Sequence, residues 1–134
     1  MYLLDTNILS EITKRNPNET FIKKLRAVPS PAIFTAVICV MELRHGAMKR
    51  GNPSDFWLMI EQQILSKIRI LDFSYHEAIK AGELIHQLYS LGRPIGIEDI
   101  MIGSIALCQD LTIVSGNTKH FQQIPGLRVE NWLL

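Results

Sequence analysis

Cysteine is scarce in this sequence: only Cys39 and Cys108 occur, far apart and each without a second cysteine nearby. That excludes a disulfide scaffold or a zinc ribbon and points to a reducing, cytoplasmic setting. Long apolar runs are missing too. No stretch of about 18 residues is apolar and free of charge, so no membrane contact through a spanning helix is expected. Asp5 interrupts the opening MYLLDTNILSEI too early for a signal peptide. Neither sign of charge dominates, since 14 Lys+Arg against 13 Asp+Glu leave +1. Any polyanion must therefore be held by a local patch. Several chemical signatures are also absent. There is no phosphate-binding G-x-x-x-x-G-K-[ST], no G-x-S-x-G and no H-E-x-x-H, and Gly92, Gly96 and Gly103 do not form a dinucleotide fingerprint. His45, His76, His86 and His120 are scattered singly and read as surface or capping residues.

What is present is a globular composition, 47% hydrophobic and 20% charged over 134 residues, which suits a single domain over 1–134 with a real core. Tyr2-Leu3-Leu4 reads as a short buried strand, followed by an apolar helical face from Asn7 to Thr13. Asn16, with Pro17 behind it and Glu19 three residues on, reads as the cap of a helix that stops before Pro29. Ile33-Phe34-Thr35 is a second strand, and Ala36 to Met48 a helix. Ser54 is expected to cap a helix through Ile64, and Ile68 to Leu71 to form a third strand. Ser74 and Glu77 make a capping box for a helix that ends at Leu91 before Gly92. Ile97 to Cys108 is another helix, Thr112 to Ser115 a fourth strand, and Val129 part of a fifth. Asn117 to Phe121 reads as a turn or short helix, and both cysteines fall in apolar helical runs and read as core rather than nucleophile. Short apolar strands alternating with helices indicate an α/β fold with a mostly parallel central sheet flanked by helices. Such sheets bind ligands beyond the carboxyl ends of their strands.

The carboxylates narrow the search. Asp5 follows the first strand, Glu42 lies between Val37-Ile38-Cys39-Val40-Met41 and Leu43, and Glu98-Asp99 sit between Ile97 and Ile100. A carboxylate among apolar residues is costly unless a cation or donors satisfy it. Asp5 and Asp99 could each simply serve a helix start. Glu42 falls about two turns inside a helix, where no cap is needed, so a partner such as Arg44 is the alternative to a ligand role. Taken together, the three favour a site for Mg²⁺ or Mn²⁺, which prefer oxygen ligands. Of Glu98 and Asp99 only one can face a cleft, and Asp99 is favoured. Asn117, after the fourth strand, is either turn chemistry with Gly116 or a further contribution to the same cleft.

Leu4-Asp5-Thr6-Asn7-Ile8-Leu9-Ser10 resembles the opening of a PIN-domain ribonuclease of the VapC toxin family. Glu42-Leu43-Arg44-His45-Gly46 is similar to its E-L-R-[YF]-G helix, and Asp99-Ile100-Met101-Ile102-Gly103 to its D-x-x-I segment. Thr112-Ile113-Val114 with Asn117-Thr118-Lys119-His120-Phe121, and Pro125 to Trp132, resemble its closing strand and tail. The likeness runs over essentially the whole chain. It implies a three-layer PIN-like fold and an endoribonuclease toxin using Mg²⁺ or Mn²⁺ on RNA such as tRNA or rRNA. Asp5, Glu42 and Asp99 carry over as catalytic metal ligands, and Asn117 matches a position that is acidic in some relatives. It also implies a homodimer, a VapB-type antitoxin, and DNA contact only through that antitoxin. The chain departs from the pattern at Ala36 and Cys39, where hydroxyl residues are frequent, at Glu98, and at Gly103 within a helix; Thr35 offers a hydroxyl on another helical direction.

Arg44, Lys49, Arg50, Arg93 and Lys119 are candidate RNA contacts at the rim. The apolar residues Ile8, Ile12, Phe21, Ile22, Leu25, Val40, Met41 and Trp57 are either core or, where exposed, an antitoxin surface. Two other readings compete. A hydrolase with Asp5 as covalent nucleophile, similar to haloacid dehalogenases, wants D-x-D, and Asn7 stands where the second carboxylate belongs. The other is a PIN-like subunit with a non-catalytic or regulatory part in a DNA-binding antitoxin complex.

Overall fold

A computed structural model describes residues 1–134. Its strands are β1 (Tyr2–Leu4), β2 (Ile33–Ala36), β3 (Arg69–Leu71), β4 (Thr112–Val114) and β5 (Val129–Glu130). They form one sheet in the order β3-β2-β1-β4-β5, and every pairing is parallel. All residues of β2 and β4 are buried, and Leu3 and Leu4 are 0% and 1% exposed. Successive strand residues point to opposite faces, so burial of both sets means that helices cover both faces. The edge strand β3 is open, with Ile70 exposed.

The helices are α1 (Thr6–Ile12), α2 (Glu19–Ala27), α3 (Val37–Met48), α4 (Pro53–Gln63), α5 (Tyr75–Ser90), α6 (Ile97–Cys108) and α7 (Thr118–Phe121). Leu3, Leu4, Ile8, Leu9, Phe21, Ile100, Ile102 and Ile105 are essentially without exposure and anchor one continuous core. Ile8 and Phe21 thus belong to that core, Ile12, Ile22, Leu25 and Trp57 pack partly against it, and Met41 is 55% exposed.

Four local expectations need correction. The cap of α2 is Asn18 rather than Asn16: its Oδ1 accepts from Phe21 N at 2.9 Å while its Nδ2 donates to Leu133 O at 3.0 Å. The tie to the chain's end selects the second asparagine. Ser54 lies inside α4, whose cap is Asn52, with Pro53 at the first helical position. Cys108 is exposed at the end of α6, while Cys39 is fully buried. Ser74 is the N-cap residue of α5 as expected, but the box with Glu77 does not form: the Ser74 hydroxyl caps no backbone N–H and donates instead to the Glu77 carboxylate at 2.9 Å. Gly103 has a packing reason: a Cβ there would lie 2.6 Å from Ile124 Cδ1.

The chain leaves β1 toward β2 and β3, then crosses back to β4 on β1's other side. The order reverses between β1 and β4, and the crevice beyond their carboxyl ends is where ligands bind in such sheets. Asp5 N donates to Val114 O at 3.0 Å, which holds the two strand ends together there.

Candidate metal centre

Asp5 is the residue after β1 and the N-cap of α1. Its Oδ1 accepts from Thr6 N at 2.7 Å, and its Oδ2 accepts from Ser115 Oγ at 2.8 Å. The capping reading is therefore correct, and it does not exhaust the residue. Asp5 is 6% exposed, and no cation pairs with it. Burial pushes its carboxyl above the usual aspartate value; the hydrogen bonds from Ser115 and Thr6 pull the other way, and the charges of Asp99 and Glu42 raise it further.

Glu42 reaches the same point from α3. Its alternative partner, Arg44, lies over the Trp57 ring at 5.3 Å instead. Thr6 Oγ1 donates to Glu42 Oε1 at 2.6 Å, so a hydroxyl rather than a cation orients this carboxylate. Thr35, the hydroxyl noted beside Glu42, donates to Leu4 O at 2.8 Å and ties β2 to β1. Ligand atoms of Asp5, Cys39 and Glu42 lie within 4.8 Å of one another. Cys39 Sγ is 4.0 Å from Asp5 Oδ1, and burial, followed by the charge of Asp5, pushes its thiol up to about 12. A thiol in that state is no ligand for a hard cation, which leaves an all-oxygen donor set.

Asp99 stands in the first turn of α6, half-buried, while Glu98 is exposed. Asp5, Glu42, Asp99 and Asn117 all line one open cleft, together with Thr6, Asn7, Ser10 and Lys14. None of these eight residues is hydrophobic. Three carboxylates converging on one polar cleft without a neutralising guanidinium suit Mg²⁺ or Mn²⁺, which take oxygen ligands and retain water.

Sequence reasoning missed several participants. Thr6 and Ser115 supply the two hydroxyls that orient Glu42 and Asp5. His120 Nδ1 lies 3.0 Å from Asp99 Oδ2, so it is not merely a surface histidine. Lys14 is the one cation lining the cleft, and it also pairs with Glu11 at 3.1 Å. The rim candidates Arg44, Lys49, Arg50, Arg93 and Lys119 are all exposed, and none lines the cleft. Arg50 lines an adjoining groove that shares Thr6, Ser10 and Glu42 with the cleft, and its guanidinium stacks 3.7 Å from the Phe56 ring.

The model of the PIN-domain family matches residues 2–127. Together with the parallel sheet and the acidic cleft at its switch point, that match makes this chain a PIN domain. Ribonuclease VapC2 of Haemophilus influenzae is 34% identical over 132 residues, 98% of each chain. The tRNA(fMet)-specific endonuclease VapC of Salmonella typhimurium is 30% identical over 131 residues, 98% of this chain and 97% of that one. In the crystal structure of VapBC2 from Rickettsia felis bound to a DNA fragment from their promoter, one chain matches with a TM-score of 0.87 and 31% identity, covering 98% of each chain. Within the PIN-domain proteins, the chain belongs to the VapC toxin family.

Proposed function

We propose that this chain is a divalent-metal-dependent endoribonuclease, the toxin of a toxin–antitoxin pair, acting as a single PIN domain over 1–134. The observation that carries this reading is the convergence of Asp5, Glu42 and Asp99, from three separate segments, on one cleft with no hydrophobic lining. The names of the relatives support RNA, of the tRNA or rRNA class, as substrate.

Asp5, Glu42 and Asp99 are the residues that would hold Mg²⁺ or Mn²⁺. When bound, the ion supplies Lewis acidity that activates water and offsets charge on the phosphodiester. Thr6 and Ser115 keep two of the carboxylates in fixed rotamers before substrate arrives, so little reorganisation is left for the reaction. Asn117 offers a neutral amide to a water or phosphate oxygen. Lys14 supplies positive charge inside the cleft, while Arg44, Lys49, Arg50, Arg93 and Lys119 add a diffuse, salt-sensitive attraction farther out.

The partners that fit are a VapB-type antitoxin and a second copy of the chain, in the cytoplasm. No helix is long and apolar enough to cross a membrane. The Rickettsia felis complex on promoter DNA supports a second reading, a regulatory part in a DNA-binding antitoxin complex, with DNA reached only through the antitoxin. Incubating the purified protein with an RNA pool in Mn²⁺ or in EDTA separates the two. The enzyme reading predicts cleavage in Mn²⁺, none in EDTA, none by Asp5→Asn or Asp99→Asn, and silencing by the co-expressed antitoxin. An inert protein that still binds promoter DNA with its antitoxin would leave only the regulatory reading.

A further inference from the structure

His120 lies in the short helix α7, three residues after Asn117, with its side chain 46% exposed. Its Nδ1 is 3.0 Å from Asp99 Oδ2 and 2.9 Å from the Asn117 side-chain amide. A ring nitrogen offers either one proton or one lone pair. A carboxylate oxygen can only accept, so at this distance Nδ1 carries the proton and donates to Asp99. The amide must then present its oxygen to the same proton, because its NH₂ group would meet an N–H. Amide oxygen and nitrogen have nearly the same shape, so this orientation requires no repacking.

Two consequences follow for the cleft. Asn117 turns its NH₂ group away from His120, free to serve the cleft that Asn117 lines. Asp99 has Oδ2 held by the ring, while Oδ1 has no protein donor and remains for a cation. The network continues through Asn117, whose backbone N–H donates to Ser115 Oγ at 2.9 Å, and Ser115 in turn donates to Asp5 Oδ2. One run of hydrogen bonds, Asp99–His120–Asn117–Ser115–Asp5, thus ties the two aspartates on either side of the cleft.

We propose that His120 is a positioning residue that sets Asp99 and the Asn117 amide for metal binding. The proposal rests on the reading of the cleft as a metal centre, and it goes beyond that reading by assigning an oriented donor outside the ligand set. Groups that orient metal ligands in this way govern affinity strongly.

The test is calorimetric titration of the metal-free protein with Mn²⁺, which reads binding and not turnover. His120→Ala should weaken Mn²⁺ binding by roughly 10–100-fold. His120→Asn places an amide nitrogen close to where Nδ1 stood and should bind within about threefold of wild type, whereas His120→Gln carries its amide one bond too far and should behave like the alanine variant. Melting in EDTA checks the fold; should the alanine variant melt lower, the asparagine and glutamine variants carry the comparison. Unchanged affinity in His120→Ala, or equal loss in the Asn and Gln variants, would overturn the positioning role while the metal centre stands. A wild-type protein that takes up no Mn²⁺ would remove the metal centre itself and the positioning role with it.

Discussion

Asp5→Asn should make the metal-free protein more stable while removing its response to metal. Asp5 is 6% exposed, and its ligand oxygen lies within 4.8 Å of that of Glu42. Two unit charges 4.8 Å apart repel by about 3.5 kcal/mol at an effective dielectric of 20. Protonation of Asp5 limits that cost, and solvent reaches half-buried Glu42. The variant should therefore gain about 1–2 kcal/mol in EDTA at neutral pH, roughly 4–8 °C in Tm. The amide keeps the shape, accepting from Thr6 N and donating to Ser115 Oγ. Wild type should instead gain about 2.7 kcal/mol at a metal concentration of 100 Kd, because the ion binds only the folded cluster. The assay is a pair of melts, in EDTA and in Mn²⁺, on both proteins. A variant less stable than wild type in EDTA, with an equal Mn²⁺ shift in both, would refute the reasoning: Asp5 would then be a structural cap and no ligand.

The same group predicts a pH dependence. Its folded pKa is raised above the unfolded 3.8, so its contribution to stability is full below that value and is lost as pH rises through the folded value. In EDTA the stability gap between Asp5→Asn and wild type should open over that window and close in acid; a constant gap would contradict the burial argument. Glu98 is exposed and Asp99 lines the cleft, so Glu98→Gln should keep most RNA cleavage and Asp99→Asn almost none, with the reverse ranking placing the ligand one residue earlier. Thr6→Val removes the hydroxyl that orients Glu42 and should lower cleavage about tenfold with little change in melting. Gly103→Ala meets Ile124 Cδ1 and should cost about 1 kcal/mol in a urea melt, the overpacking outweighing the gain in helix propensity.

The α/β alternation was legible because fully buried parallel strands read as short apolar runs and most helices carry a start or stop signal. Asp5, Asp99 and Asn117 were legible for a related reason: in this class of sheet, chemistry lies just beyond strand ends and at helix starts. Glu42 stood out because a mid-helix carboxylate among apolar residues needs a partner. Its actual partner, Thr6, lies 36 residues away and was invisible in sequence. Ser115 and Asp5 are 110 residues apart, and His120 and Asp99 are 21 apart; only the sheet order brings them together. Which cations line the cleft was not legible, because the direction of an exposed Lys or Arg depends on tertiary neighbours. Arg44 and Arg50 turn onto Trp57 and Phe56, while Lys14, which has no motif around it, enters the cleft.

Sequencing of RNA 5′ ends after brief induction, wild type against Asp99→Asn, tests the central claim most directly. Wild type should generate a small set of new, discrete ends in tRNA or rRNA that are absent from the variant. Identical end profiles in the two, or the same new ends from the variant, would contradict a nuclease built on the Asp5, Glu42 and Asp99 cleft.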